Sequence, residues 1–229
     1  GAILRLLCSC PPGKAKLTII DPVGLGQNFA ALMHLADYDE SLVGGRIWCE
    51  SSHIERKLTE LTEHMEKVIQ KYLRNRYASI DEYNREAGPM AEPYRFLVIA
   101  DFPAGFTEAA LSRLASVAAS GARCGVYTLI LHDAREKLPP AVDERLLRRN
   151  GLAIVECGDG FAVEEPPLSR GKFAAEALPT PAQVDALLKS IGEQCRQAAR
   201  VEVPFTAAAP RASEYWTSTS ELGVRLPLG

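Results

Sequence analysis

The sequence lacks the long apolar run of ~18–20 residues that a membrane-spanning helix needs, and its first residues, Gly1 to Arg5, have neither the flanks nor the length of a secretory leader. A cytoplasmic protein is the expectation. It also lacks an excess of positive charge. With 26 basic and 29 acidic residues and a net charge of −3, no global field would draw it onto a nucleic-acid backbone, so any such contact must be local. A close-set cysteine framework is missing too. Cys8, Cys10, Cys49, Cys124, Cys157 and Cys195 are scattered among apolar or small residues and are expected to be reduced thiols. Cys8-Ser9-Cys10 is the one close pair, and no second Cys/His pair stands at zinc-ligand spacing, so no metal is expected. Finally, no Gly-x-x-x-x-Gly-Lys-Ser/Thr loop occurs between a strand and a helix, so the sequence holds no backbone cradle of that kind for phosphates.

What is present is an alternation of elements. At 229 residues and 47% hydrophobic, the chain can bury one full core with an appendage. Residues 2–10 have the pattern of the end of an amphipathic helix, stopped by Pro11-Pro12-Gly13. Lys16 to Ile20 is a short apolar run without alternation, as expected of a strand covered on both faces. Ile54, Leu58, Leu61, Met65, Val68 and Tyr72 recur at steps of three and four and predict an amphipathic helix over 51–75, with Ser51 or Ser52 as cap and Glu55 completing a capping box. A short helix over 79–87 ends at Gly88-Pro89. A second buried strand follows at 95–100, then a helix opened by Thr107 and closed by Gly121, and a third strand over 125–131. A fourth strand at 152–156 continues through 161–163 across Gly158-Asp159-Gly160. Strands that alternate with helices predict an α/β fold: an open, mostly parallel sheet in three layers, with helices on both faces. Beyond Glu164 the composition shifts to Pro166-Pro167 and to Pro179-Thr180-Pro181, which opens a helix over about 181–198, and 201–229 is linker-like. No internal repeat is visible.

In open α/β sheets ligands sit beyond the carboxyl ends of the strands, which points to Asp21, Asp101, His132 and Asp133. Gly24-Leu25-Gly26 is a lone Gly-x-Gly, better explained as a turn than as a dinucleotide site. His34, His53, His64 and His132 are dispersed and are expected to be solvated. Arg145, Arg148 and Arg149 form a local basic cluster, a candidate phosphate contact or a solvated face.

The segments Ile19-Ile20-Asp21-Pro22, Met65-Glu66, Tyr83-Asn84, Phe96 to Phe102 and Gly125 to Leu131, taken in order, resemble the FtsK/SpoIIIE family of DNA-translocating P-loop motors. The resemblance runs over residues 1–165 and implies a RecA-like core, with 166–200 a Pro-rich connector and helix and 201–229 a lead-in to a further domain. ATP and magnesium are implied for the parent family only, and none is expected for this chain alone. The same resemblance implies neighbouring motor domains, a ring-shaped homo-oligomer and DNA as partners. The departures are as informative. Where the family's Walker B aspartate orients the magnesium shell this chain has Ala100, and Asp101 stands at the position of the water-activating glutamate. The lysine that follows Ile-Asp-Pro in the family is Val23, and the family's Thr-Gln falls on His132-Asp133. Ala78 takes the place of a trans-acting arginine, with Arg74 and Arg76 close by as substitutes. The expectation is a non-catalytic, structural or regulatory module excised from a longer translocase. Two alternatives stand beside it: part of an ATP site completed by a P-loop segment or a neighbouring subunit, and a protein-interaction domain docking through the helix at 51–75.

Overall fold

In the computed structural model, residues 1–133, 135–140, 142, 144–158, 160–164, 172–174 and 177–199 are described. Three strands, β1 (Ala15–Ile20), β2 (Tyr94–Phe102) and β3 (Val126–His132), form a parallel sheet in the order β1-β2-β3. β1 and β2 are short apolar runs because both of their faces are covered, whereas β3, at the sheet's edge, is buried only at Val126 and exposed at Leu131 and His132. Alternate residues of β2 go to opposite cores. Leu97 and Ile99 join one cluster, and Phe96 and Val98 the other. Both crossovers advance in the same direction across the sheet, so a common handedness puts their helices on the same face. There α2 (Ser51–Val68) and α4 (Glu108–Ser120) pack on Ile20, Leu97 and Ile99 through Ile54, Leu58, Leu61, Leu111, Leu114 and Val117. Removing each such aliphatic side chain from water contributes roughly 1.5–3 kcal/mol. The opposite face is covered by α1 (Ala2–Ser9), a 3-10 helix over Gln27–Asp37 and α6 (Pro181–Ala199). This is the expected three-layer arrangement.

The long helix departs from expectation at both ends. Ser51 and Ser52 lie inside its first turn, Glu50 is the extended residue before it, and no side chain caps it. Glu55 does not close a capping box; its Oε2 accepts a hydrogen bond from Thr107 Oγ1 at 3.1 Å. Upstream, Trp48 forms a parallel bridge to Ile20, and the chain stays extended through Glu50. At the other end, α-helical turns stop at Val68 and a π turn follows over Ile69–Leu73. The wider turn brings Leu73, five residues after Val68, into the core at 1% exposure, while Ile69 faces solvent. Tyr72 then packs beside Tyr83, ring centroids 4.9 Å apart.

The fourth strand does not extend the parallel sheet. β4 (Ile154–Cys157) and β5 (Gly160–Val163) form the expected hairpin, with Ile154 opposite Val163, and β6 (Lys172–Phe173) adds to it in a separate antiparallel sheet. Ile154 is 60% exposed. Among the described residues only α5 (Glu144–Arg149) separates β3 from β4 as regular structure, and it holds too few apolar residues to cover another parallel strand.

α6 begins with a reciprocal capping box: the Thr180 amide donates to Gln183 Oε1 at 2.9 Å and the Gln183 amide donates to Thr180 Oγ1 at 3.4 Å. Leu188 and Cys195 are buried against the core, and a Cβ on Gly192 would fall 2.2 Å from the Tyr38 ring, so only glycine allows that approach. The linker-like 201–229 and Pro166-Pro167 lie outside the described residues.

Candidate functional site at the carboxyl edge of the sheet

Ile20, Ile99 and Ile130 are register neighbours on the three parallel strands, so Asp21, Ala100 and Leu131 begin the carboxyl edge together. Asp21 is the one charged side chain wholly buried among the described residues, at 0% exposure. Its Oδ1 accepts the Gly24 amide at 3.0 Å and Asn28 Nδ2 at 3.3 Å, and its Oδ2 accepts the Gly26 amide at 3.1 Å. The Gly-x-Gly is thus a turn whose amides cradle the chain's own carboxylate. Gly24 is required by space: a Cβ there would lie 2.3 Å from Asn28 Nδ2 and 2.6 Å from Asp21 Oδ1. Leu25 and Gly26 follow with φ of 50° and 88°. Glycine spacing was visible in the sequence; the partner of its amides was not. Burial, and then the Asp21 charge, push the nearby Cys49 thiol up from its ordinary value. Val23, in place of the family lysine, is 64% exposed on the same loop.

Asp101 is held differently. Between Ile99, which pairs Ile130, and Phe102, which pairs His132, β2 carries one extra residue. Strict alternation would turn residue 101 toward the α2/α4 core. The bulge turns Phe102 there instead, with its ring 5.2 Å from Phe106. Ala100 is buried at 4% exposure, and Asp101 takes a left-handed backbone with φ 50°. Among the described residues its carboxylate has no hydrogen bond or ion pair; its carbonyl accepts the Ala104 amide at 2.9 Å. On β3, His132 donates through Nε2 to the Glu136 carbonyl at 3.2 Å and stands edge-on to Phe102. Asp133 is bound by Arg135, whose Nε lies 2.9 and 3.1 Å from its two oxygens and whose NH2 lies 2.6 Å from Oδ2. That guanidinium, with the Arg135 amide, holds the carboxyl down at about 2.

The edge therefore gathers Asp21, Asp101, His132 and Asp133, but leaves one unengaged carboxylate. By themselves these residues do not fit a magnesium–nucleotide complex. Ala100 has no side-chain oxygen, Asp21 already accepts from three N–H donors, Asp133 is held by Arg135, and no phosphate-wrapping loop occurs in the sequence. Among the described residues no three His, Cys, Asp or Glu side chains converge as a metal ion would require.

The arginines lie elsewhere. α2 leaves the carboxyl edge next to Trp48 and runs 18 residues, about 27 Å at 1.5 Å per residue. Arg74 and Arg76 are consequently at the amino edge. Arg74 Nε donates to the Gln70 carbonyl at 3.0 Å, and Arg76 lies 3.5 Å from Glu86 and over the Tyr77 ring. The sequence reading missed Arg123, whose Nε donates to the Ala78 carbonyl at 2.8 Å. A guanidinium thus reaches the Ala78 position from another element. Arg145, Arg148 and Arg149 share α5, where Arg148 is ion-paired with Glu164. His64 is not solvated as expected. Burial first, and then the Arg95 charge, lower it to about 4, and its Nε2 is buried without a partner among the described residues.

Among the described residues no helix is long and apolar enough to cross a membrane. No protein-family model matches the sequence, and no curated protein does. Solved structures do match. EssC ATPases 2 and 3 from Geobacillus thermodenitrificans superpose with a TM-score of 0.65 at 14% identity, covering 89% of this chain and 42% of that one. EccC ATPases 2 and 3 from Thermomonospora curvata, in complex with a signal sequence peptide, give 0.56 at 16% identity over 86% of this chain and 39% of that one. The cytoplasmic domain of the Thermomonospora curvata type VII secretion ATPase EccC gives 0.56 at 15% identity over 91% and 27%. This chain spans less than half the length of each. Identities this low speak for the fold alone, and that fold is the RecA-like α/β architecture of FtsK/SpoIIIE-type ATPase domains.

Proposed function

We propose that this chain is a non-catalytic RecA-like module, structural or regulatory, beside an active motor domain in an FtsK/SpoIIIE-type multi-ATPase protein. The observation that carries this reading is the β2 terminus. Ala100, which the sequence resemblance aligns with the magnesium-orienting aspartate, is buried and has no side-chain oxygen, and the bulge after it leaves Asp101 as a single carboxylate. Tandem ATPases in the similar EssC and EccC structures supply the context: one module of a series can keep the fold for contact with its neighbours after losing the chemistry. The cargo could then be polypeptide, as the secretion ATPases suggest, or DNA contacted through Arg145, Arg148 and Arg149.

One observation favours a second reading. Asp101 has no partner among the described residues, so it is free to act as a base in a site completed by a P-loop from outside this chain. In that reading Arg74, Arg76 or Arg123 would serve a neighbouring subunit from the opposite edge.

The test is titration of the purified chain with a fluorescent ATP analogue, with and without magnesium, beside Ala100→Asp and Asp101→Ala. The non-catalytic reading expects no magnesium-dependent binding and no turnover by the native chain. Magnesium-dependent binding and turnover by the native chain alone, lost in Asp101→Ala, would overturn it, whereas the second reading expects Asp101-dependent turnover only once a P-loop-bearing segment or neighbouring module is added.

A further inference from the structure

A different part of the molecule holds a pocket in which cationic donors outnumber carboxylates. Beside β1, under the first turns of α2, a pocket of about 100 Å³ is lined by Lys16 and Thr18, by Gly44 and Trp48, by Lys57 and Glu60, and by Arg95 from β2. Three cationic side chains meet one carboxylate there, and that carboxylate is already engaged, Glu60 Oε2 lying 2.5 Å from Lys57 Nζ. Lys16 and Arg95 are register partners on adjacent strands, so two like charges stand side by side; Glu92 and Glu60 offset part of the Arg95 charge, and further negative charge between the two would be favourable. Arg46 and Arg56 extend the positive field outward, 4.5 and 5.6 Å from the Trp48 ring, and Lys57 Nζ is 4.4 Å from it.

Two N–H groups at this pocket are buried and unpartnered among the described residues: Trp48 Nε1 and Arg95 Nε. Trp48 is only 7% exposed, and a Cβ on Gly44, another lining residue, would stand 3.9 Å from its Nε1. An indole N–H and a guanidinium N–H can only donate, and a buried donor without an acceptor costs free energy that native structures rarely leave unrecovered. What would satisfy both at once, and separate Lys16 from Arg95, is a compact group that only accepts and is negatively charged.

We infer that this pocket binds a phosphate-sized oxyanion, with Trp48 and Arg95 as its buried donors and Lys16 and Lys57 as its counter-charges. None of Asp21, Asp101, His132 and Asp133 lines this pocket, so the inference does not rest on the proposed function. The oxyanion can come free, as inorganic phosphate, or as the phosphate of a mononucleotide.

The chain has two tryptophans, Trp48 and Trp216, so Trp216→Phe makes Trp48 the sole indole reporter. Its emission is followed while inorganic phosphate, AMP or chloride is added at constant ionic strength. A saturable response to phosphate, absent with chloride, is expected. Arg95→Met and Lys57→Met should each weaken it by roughly tenfold or more, the worth of one charge-assisted hydrogen bond, while Lys189→Met on the exposed face of α6 leaves it unchanged. Tighter saturation by AMP than by phosphate would identify a nucleotide as the source and equally support the site. Should Arg95→Met fail to fold, Lys16→Met beside Lys57→Met decides the matter. A flat or merely linear response of the parent chain to both phosphate and AMP, or equal affinity in the folded pocket variants, overturns the inference.

Discussion

Asp21 and Asp101 end neighbouring parallel strands, one after β1 and one near the end of β2, and in sequence they are the same feature: an aspartate closing an apolar run. Their surroundings make them opposites. Asp21 is fully buried, with Gly24, Gly26 and Asn28 donating to it, so its charge is spent on shaping the loop that follows. Asp101 is lifted to the edge by a bulge, holds a left-handed backbone and has no side-chain partner among the described residues. A polar residue at a strand end is structural where the loop turns back to bind it, and available for chemistry where the loop does not.

The comparison can be broken by mutation. Asp21→Ala is expected to have the largest effect, because it removes the buried acceptor of the Gly24 and Gly26 amides and of the Asn28 side chain. A loss of about 3 kcal/mol or more, read from urea unfolding, is the prediction, and a near-native midpoint would mean the cradle contributes little. Next comes Gly24→Ala, whose new methyl would overlap Asn28 and Asp21; overpacking of this kind costs roughly 1–3 kcal/mol, measured the same way. The smallest effect, with opposite sign, belongs to Asp101→Gly. Relief of the left-handed backbone, offset by the added freedom of glycine when unfolded, should stabilise the chain by about 0.5 kcal/mol. A loss matching that of Asp21→Ala would mean Asp101 has a structural role that its geometry does not suggest.

Much of the fold was legible before any coordinates. Steps of three and four from Ile54 to Val68 define α2, and the unalternating runs at Lys16–Ile20 and Arg95–Ala100 define doubly covered strands. The legible signals are periodicities, and periodicity fails where the chain changes register. The π turn at Ile69–Leu73 and the bulge at Ala100-Asp101 each add one residue, and in each case a wholly apolar side chain, Leu73 or Phe102, takes the core position. The fourth strand was legible as a strand and as half of a hairpin, but not as part of a second sheet, because membership depends on which neighbours cover it. In the candidate site, all four strand-end residues were found from sequence. Their engagement was not, since Asp21 depends on amides that only the turn aims at it, and Asp133 on the placement of Arg135.

By itself, then, the sequence determined the order of elements, the two-sided burial of β1 and β2 and the absence of a phosphate loop and of a side-chain oxygen at Ala100, because these follow from local pattern and side-chain chemistry. Tertiary structure alone decided which carboxylate is consumed and which is free, where Arg123 reaches, and that Trp48, Lys16, Lys57 and Arg95 share one pocket. Those outcomes depend on contacts between residues far apart in the chain, and a hydrogen bond or a charge pair exists only once the packed core has fixed both partners within reach.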